Sequence, residues 1–293
     1  MRNAKGRLEA ASWDEAFKAI AARTATTRPE RMGAIAGDLC DAESMLALKD
    51  LMTGLGSPNL DCRQDGAQLD PGVRAGYLFN TTIAGIEDAD ACLIVGSNPR
   101  REAAMINARL RKRFLQGSFR VGVIGEQADL TFQTEYLGAG PDTLAEVAAG
   151  RNSFADVLRE AERPMIIVGQ GALLRPDGSA VLAACREIAE TFGMIGETWN
   201  GFNVLHTAAA RVAGLDMGFV PGPTGRDATG MLTAAESGDF DVLYLLGADE
   251  FDAERLRKPF VIYQGHHGDE GAHAADVVLP GAAYTEKNAT YVN

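Results

Sequence analysis

Cysteine is the first scarcity that limits this chain's chemistry. Its four cysteines, Cys40, Cys62, Cys92 and Cys185, stand far apart, and there is no Cys-x-x-Cys pair. Ferredoxin-type clusters and structural zinc sites draw on closely spaced thiolates, so neither is encoded within these 293 residues. Long apolar runs are also missing. Nothing approaches the ~18 residues that a membrane-spanning helix needs, and Met1-Arg-Asn-Ala-Lys-Gly6 has no signal-peptide core. Positive charge is short: 28 Lys and Arg face 40 Asp and Glu, a net charge of −12. That balance argues against a nucleic-acid surface, where binding depends on neutralising phosphates. The basic run Arg109–Arg113 is local and reads as the solvated face of one helix.

What remains is an ordinary soluble composition, 46% apolar and 23% charged, and a repeated pattern. In Asp88-Ala-Asp-Ala-Cys-Leu-Ile-Val-Gly-Ser-Asn-Pro-Arg100, the apolar run Leu93–Val95 predicts a strand buried on both faces. Gly96-Ser97-Asn98 breaks it, and Pro99 suits a first helical position with Asn98 as the cap. Met105, Ile106, Leu110 and Phe114 recur at helical spacing, and Val121-Gly-Val-Ile124 predicts the next strand. The same apolar-run-then-glycine unit returns at Arg163–Gly171 and Asp241–Asp249. Strand–turn–helix–strand units of this kind build parallel α/β sheets, whose ligands bind at the carboxyl ends of the strands.

Elsewhere, Ser12-Trp-Asp-Glu15 is a capping box opening a helix through Phe17 and Ile20, and Met32–Ala36 is a weak strand. Asp41 caps a helix through Leu55, stopped by Gly56 and Pro58. Asn59–Ile86 and Gly125–Gly140 read as loops, Pro141-Asp142 starts a helix, and Ser153 caps another. The glycine-rich passage Gly193–Gly225 is too apolar for a linker and is expected to fold over a sheet edge. The last strands are Phe260–Tyr263 and Val277–Leu279. The end at Tyr291-Val-Asn293, with no terminal helix or cap, reads as a cut through a longer polypeptide.

Candidate chemistry is thin. His266, His267 and His273, with Asp269 and Glu270, supply metal-ligand types, but adjacent histidines between glycines do not aim readily at one ion, so no metal site is expected. Cys62 lies in a polar loop with no histidine near it in sequence to activate it, and a structural role is favoured. The turns after Gly96, Gly169 and Gly247 could cradle phosphate on backbone N–H groups, yet none reads Gly-x-Gly-x-x-Gly before a helix. Cys92 and Cys185 sit in apolar patterns as core residues, and a reducing, cytoplasmic setting fits.

Taken together, Ala11–Ala16, Asp88–Arg100 and Ala275–Glu286 resemble the molybdopterin oxidoreductase superfamily. Asn59–Arg63, Arg101–Arg109, Asn200–Leu205 and Ala213–Gly218 are most similar to its cofactor-free branch, the large iron–sulfur subunits (G subunits) of bacterial NADH:quinone oxidoreductase, respiratory complex I. The likeness runs from about Leu8 to Asn293. It implies two interleaved Rossmann-like lobes with mainly parallel sheets, one formed by residues 8–68 and 151–293, the other an insertion at 69–150. It implies further that the active members' metal ligand would fall just after Cys62. Here that stretch reads Gln64-Asp-Gly-Ala-Gln68 and offers no thiolate, selenolate or serine. No catalytic residue, cofactor contact or metal ligand is therefore expected, and Gly96, Ser97, Asn98, Gly247 and Gly265 are candidates for a vestigial cleft. The resemblance also implies iron–sulfur clusters upstream in the full-length subunit, other peripheral-arm subunits as partners, and a place on the cytoplasmic side of the bacterial inner membrane. A small-molecule or nucleotide-binding module, and a fragment of an active molybdopterin-dependent oxidoreductase, are the alternatives.

Overall fold

The computed structural model describes residues 1–268 and 270–293. Ten strands are found among the described residues: β1 (Met32–Ala36), β2 (Asn59–Asp61), β3 (Ala91–Val95), β4 (Arg120–Ile124), β5 (Glu135–Gly138), β6 (Pro164–Val168), β7 (Phe202–Val204), β8 (Val242–Leu246), β9 (Phe260–Gly265) and β10 (Val277–Pro280). They form two five-stranded sheets, ordered β10-β9-β8-β1-β2 and β5-β4-β3-β6-β7. Every pairing between them is parallel. The central strands β1, β3 and β6 are buried throughout, as expected where helices cover both faces of a parallel sheet.

The chain divides into two compact units, Met1–Gly66 with Ala208–Asn293, and Ala67–Thr207. The insertion is thus longer than the 69–150 expected from sequence. Strand β6 hydrogen-bonds to β3, and β7 to β6, so residues 151–207 complete the second sheet instead of returning to the first. The reason is doubly wound topology. The chain lays β3, β4 and β5 outward in one direction, then must cross back to build the other half of the same sheet.

The first unit packs Ile35, Met231, Leu232, Phe240, Leu243, Leu245, Val261 and Tyr263 into one cluster. In the second, Cys92, Ile94, Ile106, Leu110, Val121, Val123, Met165 and Ile167 do the same. Ser12 and Glu15 form the full reciprocal capping box at the head of the helix Trp13–Thr24, and Asp41 caps Ala42–Gly54 through Ser44 N–H at 2.7 Å. Asn152, one residue before the expected Ser153, caps Ser153–Glu160 through Phe154 N–H at 3.0 Å.

The helix Trp13–Thr24 does lie against β10, but Ala16 is its one buried residue. Trp13 and Phe17 are 51% and 53% exposed, with ring centroids 5.4 Å apart on the outer surface. A core role for Phe17, which its helical spacing suggests, is not realised. Phe17→Ala should therefore change the unfolding free energy by no more than about 1 kcal/mol, as for a surface substitution that loses one aromatic contact. Chemical denaturation of the purified chain gives that difference directly.

Candidate functional site

In the second unit, strand order reverses between β3 and β6, which is where an open α/β sheet offers a crevice. The two strands end in glycine turns that close on one another. Gly96 has φ +62, and a Cβ there would lie 2.6 Å from the backbone nitrogen of Ala172. Gly169 donates its N–H to Val95 O at 2.9 Å, and a Cβ on it would meet Gly96 O at 2.6 Å. Beyond this seam lies a cavity of about 380 Å3, bordered by Ser97, Asn98, Glu126, Gly140, Leu144 and Arg175.

The expected helix after Pro99 is broken. It runs Pro99–Glu102, stops at Ala103 (φ −151, ψ 69), and restarts as Ala104–Leu115. Asn98 stands before it in a non-helical conformation, but its side chain caps nothing, and its Oδ1 is buried with no partner. The capping oxygen comes from Glu102. Its Oε2 accepts from Ser97 Oγ at 2.7 Å, and its Oε1 accepts from Asn98 N–H at 2.9 Å. A carboxylate belonging to the chain thus occupies the donors that a bound phosphate would use. Arg175, the cation on the rim, is held in a two-pronged pair with Asp177 at 2.7 and 2.8 Å, which keeps that carboxyl below the usual range. These residues do not fit the phosphates of a pterin dinucleotide. We expect Asn98→Ala to leave stability within about 0.5 kcal/mol of the parent and Glu102→Ala to lose about 1 kcal/mol, reversing the ranking suggested by sequence. Paired urea titrations of the two variants measure the ranking.

In the first unit the reversal falls between β1 and β8. Gly37 donates to Leu246 O at 2.9 Å, and a Cβ on Gly37 would stand 1.8 Å from Gly247 O, so the seam is shut by backbone. Gly247 (φ +52) donates to Gln264 O at 2.7 Å, and Gly265 O accepts from Gly281 N–H at 2.8 Å. The five cleft candidates therefore divide: Gly96, Ser97 and Asn98 belong to one unit, Gly247 and Gly265 to the other.

A buried charged cluster of the first unit follows β1 and β2. Arg211, 1% exposed, donates from Nη2 to Asp65 Oδ1 at 2.9 Å and stands 3.7 Å from Asp38 Oδ1. Gln64 is 6% exposed, and its Oε1, Asp38 Oδ1 and Arg211 Nε make no hydrogen bond to the protein. Burial pushes the Asp38 carboxyl above its ordinary range, with Arg211 pulling the other way. Glu250 is raised too, by burial and then by Asp38, Asp249 and Asp65. Gln64–Gln68 is the stretch where the resemblance places a metal ligand. Here Gln64 is buried, Asp65 is committed to Arg211, and Ala67 is enclosed. Its donor set does not match a molybdenum ligand.

Cys62 is buried. Burial pushes its thiol up to about 12, and the backbone of Gly214 comes so close that a Cβ there would sit 2.6 Å from the sulfur. Cys40 and Cys185 are likewise raised to about 12 by burial. His266 and His267 stack edge to face with centroids 4.6 Å apart, His273 lies on the helix Glu270–Ala274, and Asp269 falls outside the described residues. Among the described residues no group of three His, Cys, Asp or Glu converges as a metal site.

Sequence reading missed Arg211, Asp38 and Glu102. The signal for Arg211 was present: one cation inside Ala208-Ala-Ala-Arg-Val-Ala213, an apolar run that has to bury it.

Two parallel, doubly wound sheets, with glycine seams at both reversals, define an α/β architecture of the molybdopterin enzyme type, and the chain belongs to the molybdopterin oxidoreductase family, whose pattern matches residues 1–293. Within that family it is 44% identical over 294 residues to the NADH dehydrogenase (ubiquinone) iron-sulfur protein 1, mitochondrial, of Solanum tuberosum, covering 100% of this chain and 38% of that protein. It is 43% identical to the NADH-quinone oxidoreductase G subunits of Rickettsia bellii and of Rickettsia felis, over 98% of this chain and 41% of each relative. The chain thus spans about two-fifths of the length of these relatives. A chain from the crystal structure of the formyltransferase/hydrolase complex of Methylorubrum extorquens shares the fold, with a TM-score of 0.63 at 19% identity over 97% of this chain and 90% of that one.

Proposed function

We propose that this chain is the molybdopterin-oxidoreductase-like region of the large iron–sulfur subunit of an NADH:quinone oxidoreductase, and that it works there as a cofactor-free scaffold. The carrying observation is identity of 42–44% across essentially the whole chain with the bacterial large subunits and their mitochondrial counterpart. The site chemistry supports it: Glu102 fills the phosphate donors after β3, and Gln64–Gln68 presents no molybdenum ligand. In this reading the iron–sulfur clusters lie in other parts of the full-length subunit, and the partners are the neighbouring subunits of the peripheral arm. The chain reaches the cytoplasmic face of the bacterial inner membrane through the complex. No described helix is long and apolar enough to cross a membrane.

Elemental mass spectrometry of the purified chain is the test. We expect molybdenum and iron far below one atom per chain, whereas stoichiometric molybdenum would establish the active-oxidoreductase alternative. A second reading, small-molecule binding, is favoured by the cavity beside Gly96, where Asn98 Oδ1 awaits a donor. With Glu102 and Glu126 on its wall, that cavity suits a neutral donor-bearing ring better than a nucleotide.

A further inference from the structure

The helix Ala104–Leu115 is held by one face alone. Ile106, Asn107 and Leu110 are buried, with Asn107 Nδ2 donating to Leu130 O at 3.1 Å. Its opposite face is open. Met105 and Leu115, at 69% and 65%, are the most exposed large apolar side chains among the described residues. Met105, Ala108, Lys112 and Leu115 follow one another at spacings of three, four and three residues, the seam by which one helix receives another. At 1.5 Å per residue the outer two lie roughly 15 Å apart along the axis.

The flanks of this seam are basic. Between Arg100 and Arg113 six of fourteen residues are cationic, and the single acid, Glu102, is turned back to Ser97 and Asn98. Lys112 and Arg109 share Glu87, but neither Arg101 nor Arg111 has a carboxylate within salt-bridge distance among the described residues. Arg100 is paired with Asp129 as well, which leaves Arg101 and Arg111 beside the seam as cations without a carboxylate among the described residues; in a chain of net charge −12 that favours acidic groups from outside.

We propose that this face docks an amphipathic helix of another protein, one with apolar residues at three–four spacing flanked by Asp and Glu. A second copy of the same face would set cations against cations. An anionic membrane is the poorer occupant as well. The helix offers two large apolar side chains and no outward aromatic, and its inner face fixes it to the sheet, which leaves little to insert into lipid. The inference concerns the chemistry of the partner and does not rest on the assembly proposed above.

The test uses the full-length protein in its native membranes, with benzoylphenylalanine placed at Met105 in one variant and Leu115 in another. Irradiation followed by peptide mass spectrometry reads the captured segment. We expect both probes to reach one helical segment of another chain, apolar at three–four spacing with acidic neighbours. Adding Arg101→Glu and Arg111→Glu should lower the yield at least tenfold with an unchanged thermal midpoint, and Arg111→Lys should retain it. Lipid adducts, capture of a second copy, a segment without acids, no adduct at all, or a yield indifferent to charge reversal would each overturn the proposal. If the acidic helix belongs to a protein outside NADH:quinone oxidoreductase, this inference stands and the assembly reading falls.

Discussion

Replacing Arg211 with alanine is expected to destabilise the chain by about 3–5 kcal/mol, the usual consequence of breaking a buried ion pair from one side. The guanidinium is 1% exposed, and the carboxylates facing it, Asp65 at 2.9 Å and Asp38 at 3.7 Å, are 21% and 17% exposed. Without the cation these two groups and the nearby Glu250 would repel one another where water screens them poorly. Arg211→Met separates the terms, because it keeps most of the volume and still removes the charge. If the loss is electrostatic, Met should be nearly as harmful as Ala, and adding Asp38→Asn and Asp65→Asn should restore most of it.

The pH dependence has a definite sign. Burial already raises the Asp38 carboxyl, so the folded chain holds that proton more tightly than the unfolded chain does. Stability from this group is fullest below the unfolded value, near ~3.9, and falls as pH rises through the folded value. Arg211 opposes the rise, so removing it moves the folded value further up. The deficit of Arg211→Met should therefore narrow as the pH is lowered from about 7 to about 5. Denaturant midpoints at the two pH values measure it, and a deficit that stays constant or grows on acidification would show that charge is not the cause.

Much of the fold could be read from local signals because the decisive elements are buried on both faces. Leu93–Val95, Met165–Val168 and Val242–Leu246 are continuous apolar runs, and a parallel strand under two helix layers can hardly be anything else. Strand β5 escaped because it is an edge: Glu135-Tyr-Leu-Gly138 has no fully buried residue, and Arg120 ties its Glu135 to β4 across the surface. The lobe boundary escaped because no local pattern distinguishes a strand joining one sheet from a strand joining another. Asn98 had every sequence credential of a cap and lost the position to a glutamate four residues on. Both could supply the oxygen, and the three-dimensional path of the turn chose between them.

The second large effect concerns Phe154, and it tests whether shape is what this region contributes. Phe154 is fully buried beneath the sheet of the second unit, and the strand above it passes without a side chain: a Cβ on Gly122 would sit 2.9 Å from the ring. Gly122 is the middle residue of β4, paired to Leu93 on one side and Glu135 on the other, so its lack of a side chain is a packing requirement. Phe154→Ala should cost about 3–5 kcal/mol through lost burial and the cavity left behind. Gly122→Val alone should cost about 1–3 kcal/mol by overpacking against the ring. The two changes are complementary in volume, so the double variant should be more stable than their sum predicts, by about 1–2 kcal/mol. Additivity within about 0.5 kcal/mol would mean that ring and strand do not meet as described. Strand β4 ends at Ile124, which with the following Gly125 borders the cavity beside Gly96, yet a scaffold should feel the loss as abundance and not as chemistry. On the proposed assembly, membranes carrying Phe154→Ala should show several-fold less assembled complex on a native gel, while NADH:quinone turnover per assembled complex stays at the parent value. A fall in turnover per complex with assembly intact would mean that this region takes part in the reaction, and the scaffold reading would be abandoned.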